Sequence, residues 1–118
     1  MATAMQQVMI KEEMIGAVLI ARVRGHETEA TRRALADAGH ATDLARMQAA
    51  HEAGKLLWIV DYYGPGNTFP PDCDGGIYAT IEAAEAAGAQ GVEDIDWVER
   101  YVLRPTIWDL DEPADNIG

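Results

Sequence analysis

The sequence predicts one α+β domain whose elements follow the order strand, helix, strand, strand, helix, strand. Three observations lead to this class. The 118 residues are the length of one ordinary domain. Hydrophobic residues make up 48% and charged residues 25%, which is globular composition. Short apolar runs rich in β-branched residues are separated by alanine-rich stretches with helical spacing.

The first predicted strand covers residues 15–23, a run with apolar residues on both alternating faces. This pattern is typical of a strand that is covered on both sides. A helix over residues 5–23 is the alternative, but it would place Glu12 and Arg22 awkwardly around its apolar stripe. We therefore favour the strand, and we expect residues 1–13 to form an N-terminal arm.

Two helical segments follow Gly25. The first begins with glutamates, which the positive end of a helix dipole favours, and it breaks near His40. Thr42 or Asp43 can cap a renewed helix. Gly54 then supplies a left-handed C-terminal stop.

The clearest strand is residues 55–63, and it is apolar on both faces. The thirteen residues 64–76 that follow are dense in glycine and proline, which predicts a loop. Loops of this length in a compact domain are often lids or binding segments.

The remaining pattern predicts a short strand over residues 77–80 and an alanine-rich helix over residues 81–91 with Thr80 as its cap. A last strand covers residues 97–104, and Pro105 marks where ladder pairing should fail. The complete order is that of a ferredoxin-like βαββαβ sandwich. We place this domain at residues 14–110 and an acidic C-terminal tail at residues 111–118.

The charge is strongly one-sided. The chain has nine basic and twenty acidic residues, a net charge of −11, and residues 1–55 hold seven of each sign, so the whole excess lies in residues 56–118. No basic footprint is present for nucleic acid or for an anionic membrane surface. The longest uncharged apolar run, residues 14–21, is too short to cross a bilayer. We expect a soluble, cytoplasmic protein whose small-molecule ligands are neutral or cationic.

The ferredoxin-like order also predicts a homodimer. Both of its helices cover the same face of the sheet, which leaves residues such as Leu57, Ile59 and Tyr63 on an open face. Monomers rarely expose an apolar patch of that size, and a two-fold dimer would cover it. The expected assembly is a dimeric α+β barrel in which Asp61 must reach solvent, a basic partner or a cleft.

Three segments resemble YciI-like (YCII-related) proteins. They are DLARMQAAHEAGKLL at residues 43–57, GGIY at residues 75–78 and YVLRP at residues 101–105. The resemblance spans roughly residues 15–108. It implies a ferredoxin-like protomer, dimerisation and a site built on a histidine–aspartate pair.

In that family the histidine opens a helix, and the aspartate lies in an Asp-Pro-aromatic motif before the last strand. Here Asp43 stands at the histidine position, with His40 one helical turn earlier. Asp94 and Asp96, followed by Trp97, are the nearest substitutes for the aspartate motif.

The candidate catalytic residues are His40 and Asp43. Their spacing of three places them on one side of a continuous helix, so Asp43 could orient His40 as a general base. The alternative is that Asp43 caps a helix and His40 lies in a solvated kink. The histidines have no metal-ligand spacing, and acidic neighbours disfavour a thiolate at Cys73. We therefore predict no metal and no cofactor.

The candidate substrate-binding residues are aromatic side chains with polar ends, together with one carboxylate. They are Trp58, Asp61, Tyr62, Tyr63 and Tyr78. The predicted function is binding of a small organic molecule in a cleft beneath the 64–76 loop, with acid–base chemistry of the lyase, isomerase or hydrolase type. The alternative is a non-catalytic accessory or interaction protein whose barrel is filled.

Overall fold

The structure is a computed structural model that describes residues 4–65 and 75–108. These residues form four helices and three strands, which confirms the α+β class. In chain order they are α1 (Ala4–Arg24), α2 (Glu29–Asp37), α3 (Ala41–Glu52), β1 (Leu56–Tyr63), β2 (Ile77–Tyr78), α4 (Ile81–Asp94) and β3 (Arg100–Ile107).

The first element differs from the prediction. Residues 15–23 are helical and belong to α1, so the predicted strand is wrong, and the helix that was its alternative is present. The side chains of Ile15, Val18 and Leu19 are each at most 1% exposed, whereas Ala17 is exposed. The spacing of three and four puts the buried residues on one helical stripe, and this stripe, rather than two sheet faces, explains the apolar run.

The residues expected to form an N-terminal arm are helical from residue 4 onward. Residues 4–13, expected to be an arm, are the first turns of α1 and continue without a break across the predicted boundary at residue 14. Because the first strand is replaced by a helix, the described elements run helix, helix, helix, strand, strand, helix, strand. The expected tail, residues 111–118, lies outside the described residues.

The two short helices end and begin close to where the sequence predicts. Thr28 caps α2, its hydroxyl oxygen accepting a hydrogen bond of 3.1 Å from the backbone N–H of Thr31. His40 occupies the N-cap position of α3 without a side-chain capping bond, so neither Thr42 nor Asp43 is the cap. Gly54 has a φ of 73°, which is the left-handed stop predicted for it.

The described sheet is antiparallel, with strand order β2-β1-β3. Trp58 in the central strand stands opposite Tyr78 on one side and Pro105 on the other. Pairing of β3 continues through Pro105 to Ile107, so the predicted end of the ladder at this proline is wrong. Because β3 is an edge strand, a residue whose N–H position points outward loses no ladder bond.

Helix α4 lies close to the sheet because glycines face the strands. The hydroxyl oxygen of Thr80 caps the helix as predicted, accepting a hydrogen bond of 3.1 Å from the N–H of Ala83. A Cβ added at Gly88 would lie 2.3 Å from the ring of Tyr101, and one at Gly91 would lie 2.2 Å from the ring of Tyr62. Only hydrogen at these two positions leaves room for both tyrosine rings.

A single hydrophobic core joins the helices to one face of the sheet. Alternation along β1 directs Leu56, Trp58, Val60 and Tyr62 to this face, and all four are buried. Within the described part of the chain, no helix has both the length and the hydropathy that crossing a bilayer requires.

The packing of α1 against β3 makes Gly16 a critical position. A Cβ there would lie 2.9 Å from Cδ of Pro105 and 3.0 Å from the carbonyl oxygen of Leu103. Alanine favours an open helix by about 1 kcal/mol over glycine. We nevertheless expect Gly16→Ala to lower the free energy of unfolding by about 1–3 kcal/mol because of overpacking.

Urea denaturation of Gly16→Ala checks this expectation. Ala17→Gly, at the exposed neighbouring position, is the control that measures helix propensity alone. If Gly16→Ala is instead stabilised by the full propensity difference, then α1 does not pack against β3 at this point.

Candidate functional site

An open groove of about 380 Å³ lies between α4 and the β1–β2 part of the sheet. Its walls come from one residue of β1, one residue of β2, the segment just before β2, and the C-terminal half of α4 with the residue that follows it. The lining residues are Tyr62, Gly75, Tyr78, Ala87, Gln90, Gly91, Asp94 and Ile95.

Tyr62 and Tyr78 provide the aromatic surface of the groove. The Tyr62 ring is held under α4, where its hydroxyl donates a hydrogen bond of 3.0 Å to the carbonyl oxygen of Ala87. Tyr62 is 5% exposed, and Tyr78 is half-buried. Both residues were predicted to bind substrate because their aromatic side chains have polar ends, and the structure brings them to the same groove.

Two glycines of the groove allow close packing behind its wall. A Cβ at Gly75 would lie 2.3 Å from Cγ1 of Val60, so this position has no room for a side chain. Gly91 has the same restriction against the Tyr62 ring. Backbone therefore forms part of the wall at both positions, as it often does where a ligand approaches closely.

The polar side chains of the groove come from the end of α4. Gln90 donates a side-chain hydrogen bond to the carboxylate of Asp94, one helical turn later. Among the described residues that line the groove there is no lysine, arginine or histidine. Gln90 was not predicted as a site residue, and Asp94 was considered only as part of a motif, because the packing of α4 on β1 is what brings both residues to the groove.

His40 and Asp43 lie at the start of α3 and are not among the residues that line this groove. The Asp43 carboxylate is paired with Lys11 of α1 at 3.1 Å. Its hydrogen bond to Lys11, and then the charge of that lysine, lower the pKa of Asp43, and His40 makes a smaller contribution in the same direction. Acid–base catalysis by this pair stays a prediction.

The other three predicted binding residues are buried elsewhere. Trp58 is 1% exposed and belongs to the hydrophobic core, whereas Asp61 and Tyr63 lie on the opposite face of β1. None of the three lines the groove. Of the outcomes considered for Asp61, the structure shows contact with a basic partner.

That partner is Arg104 of β3. Its Nε donates to Oδ2 of Asp61 at 2.5 Å, and its Nη1 donates to Oε1 of Glu12 on α1 at 2.9 Å. Asp61 is 0% exposed. Burial by itself lowers the pKa of Arg104, but the bonds and charges of Asp61 and Glu12 together raise that pKa above its usual value.

Tyr63 forms a neighbouring contact with α1. Its hydroxyl donates to Oε1 of Glu13 at 2.8 Å, and the guanidinium carbon of Arg100 lies 4.2 Å from the centre of its ring. Burial, followed by the hydrogen bond to Glu13, raises the pKa of Tyr63 well above the usual value of 10.0. Neither glutamate contact was predicted, because Glu12 and Glu13 were expected to lie in an N-terminal arm.

Comparison of the chain with protein-family models, with curated proteins and with solved structures finds no match. The similarity to YciI-like proteins stays a prediction. Among residues 4–65 and 75–108, no three histidine, cysteine, aspartate or glutamate side chains are grouped so that they could hold a metal ion.

The environment of Tyr63 makes stability depend on pH in the alkaline range. In the unfolded chain this tyrosine ionises near pH 10, whereas in the folded chain it keeps its proton to higher pH. The stability that this difference contributes is complete below pH 10 and falls as the pH rises above it, by about 1 kcal/mol per pH unit.

We therefore expect the free-energy difference between wild type and Tyr63→Phe to change between pH 9 and pH 11.5. Urea unfolding at several pH values in this range measures it. The amount by which the unfolding free energy of the wild type exceeds that of Tyr63→Phe should shrink as the pH rises. A difference that stays constant across the range would contradict a buried, carboxylate-bound Tyr63 hydroxyl.

Proposed function

We propose that the protein binds a small organic molecule, neutral or cationic, in the groove between α4 and the sheet. The observation that supports this proposal is that Tyr62, Tyr78 and Asp94 line the same groove of about 380 Å³. This volume falls within the range of roughly 300–1,000 Å³ that small-molecule sites occupy.

The composition of the walls supports recognition of an aromatic or partly apolar compound. Tyrosine rings supply rigid apolar surface together with a polar end. Gln90 and Asp94 add an amide and a carboxylate at one end of the groove. The hydrogen bond between Tyr62 and Ala87 fixes one wall before any ligand arrives, which reduces the entropy lost on binding.

Tyr78→Ala should weaken ligand binding because it removes one aromatic wall. A panel of neutral and cationic aromatic compounds, screened by ¹⁵N–¹H NMR shift changes at the Gly75 and Gly91 amides, identifies a binder. With that binder we expect Tyr78→Ala to raise Kd by about tenfold, which corresponds to the roughly 1–2 kcal/mol of a partly buried ring contact.

Ile77→Ala is the matched control, because Ile77 is adjacent on β2, points to the opposite face and is 54% exposed. It should leave Kd unchanged. If no compound in the panel shifts the two glycine amides, the non-catalytic accessory or interaction protein becomes the better interpretation. Equal losses in both variants would also contradict binding in the groove.

We also propose that two copies associate through the part of the opposite sheet face that α1 does not cover, which keeps the expected dimeric arrangement as a proposal. Ile77 on this face is exposed, and Leu57, Ile59 and Val102 are half-buried. The one carboxylate that the described strands direct to this face, Asp61, is buried against Arg104. Two chains of net charge −11 would therefore meet here with little repulsion between acidic side chains.

Sedimentation velocity over a range of concentrations tests this association. We expect the wild type to sediment at twice the chain mass. Ile77→Lys should raise the dimer dissociation constant at least tenfold because it buries a charge in the interface. Val92→Lys, at an exposed apolar residue of α4, is the control and should change nothing. A wild-type chain that stays monomeric at every concentration contradicts the dimer.

A further inference from the structure

Of the described residues that line the groove, Asp94 carries a negative charge and none is basic. Helix α4 contains four acidic residues and no basic one. Arg24 of α1 forms a salt bridge with Glu85, in the middle of the helix. Among the described residues no lysine or arginine forms a salt bridge with Asp94, at the end of the helix that lines the groove.

The orientation of α4 adds to this charge. A helix carries about half a negative charge at its C-terminus, where lysine and arginine are normally stabilising. The last turn of α4 contains Glu93 and Asp94 and has no basic residue. Both carboxylates therefore oppose the dipole, and a cation bound beside Asp94 would relieve this repulsion.

The aromatic residues of the groove also favour a positively charged ligand. The face of a tyrosine ring attracts organic cations, and the attraction is larger where water is partly excluded. Tyr62 and Tyr78 line the groove together with Asp94. A carboxylate, a helix C-terminus and the half-buried Tyr78 ring thus favour the same sign of ligand charge.

We infer that the ligand of this groove is an organic ammonium ion whose charged nitrogen lies beside Asp94 and the C-terminal turn of α4, with its apolar part against Tyr62 and Tyr78. This inference rests on the proposed function, because it specifies the ligand class of the same groove. It excludes carboxylates and phosphates as preferred ligands.

Three probes of equal skeleton separate charge from shape. They are 2-phenylethylammonium, neutral 2-phenylethanol and anionic 3-phenylpropanoate, titrated into the wild-type chain at pH 7 and followed by NMR shift changes at the amides of Gly75 and Gly91. We expect the ammonium ion to bind about tenfold more tightly than the alcohol and the carboxylate to bind most weakly. Raising the salt concentration should weaken the ammonium ion selectively.

The variant Asp94→Asn tests whether Asp94 causes the preference for the ammonium ion. It should reduce the affinity for the ammonium ion by roughly threefold to tenfold and leave the alcohol unchanged, because an exposed ion pair contributes modestly. Glu82→Gln, which makes the same charge change in the first turn of α4, is the control and should leave the preference intact.

Each result decides between the two proposals. If the alcohol binds as tightly as the ammonium ion, or if the carboxylate binds best, the inference is overturned while the groove remains a binding site. If Asp94→Asn and Glu82→Gln have equal effects, the preference comes from net charge and not from Asp94, which also overturns the inference. If none of the probes shifts the glycine amides of the folded chain, both proposals fail.

Discussion

The buried contact of Asp61 with Arg104 constrains the rest of the molecule. Asp61 lies in the central strand and is fully buried, so its charge must be neutralised by a partner with good geometry. Arg104 provides two donors to it and a further donor to Glu12. Since Glu12 belongs to α1, the arginine connects the long helix to two strands at once. Removing one member of such a group typically costs about 3–5 kcal/mol, because the remaining charge stays buried.

The position of α1 decides where a ligand can bind. Its apolar stripe enters the core beside Trp58, and its acidic turn covers Asp61 and Tyr63. Three of the five predicted binding residues are thereby taken up by packing and by the polar group. The side chains that remain for a ligand are those beside α4, where Gly91 lets the helix approach Tyr62 and leaves a groove toward Tyr78. The negative charge of the groove comes from Asp94 of α4, a helix in the acidic half of the chain.

Local sequence signals predicted the features that depend on neighbouring residues. They did not predict the features that depend on contacts between distant parts of the chain. The strand β1, the cap at Thr80 and the stop at Gly54 depend on neighbouring residues, and all three are confirmed. The run over residues 15–23 was ambiguous because a short apolar segment fits a buried strand and a buried helix equally well. The spacing of Ile15, Val18 and Leu19 was the available signal for a helix. Tyr62 and Tyr78 were predicted for the site from the chemistry of their side chains, whereas Gln90, Gly91 and the pairing of Asp61 with Arg104 depend on tertiary packing and strand register.

Native-state hydrogen exchange, combined with backbone chemical shifts, tests most directly whether Arg104 holds α1 as a helix against the sheet. In the wild type, residues 12–24 should show helical Cα shifts, and their amides should exchange as slowly as those of β1. In Arg104→Met the same amides should exchange markedly faster than those of α4, because the link between Glu12 and Asp61 is lost. Strand-like shifts over residues 15–23 in the wild type, or equal protection of α1 in both proteins, would contradict the role of this contact.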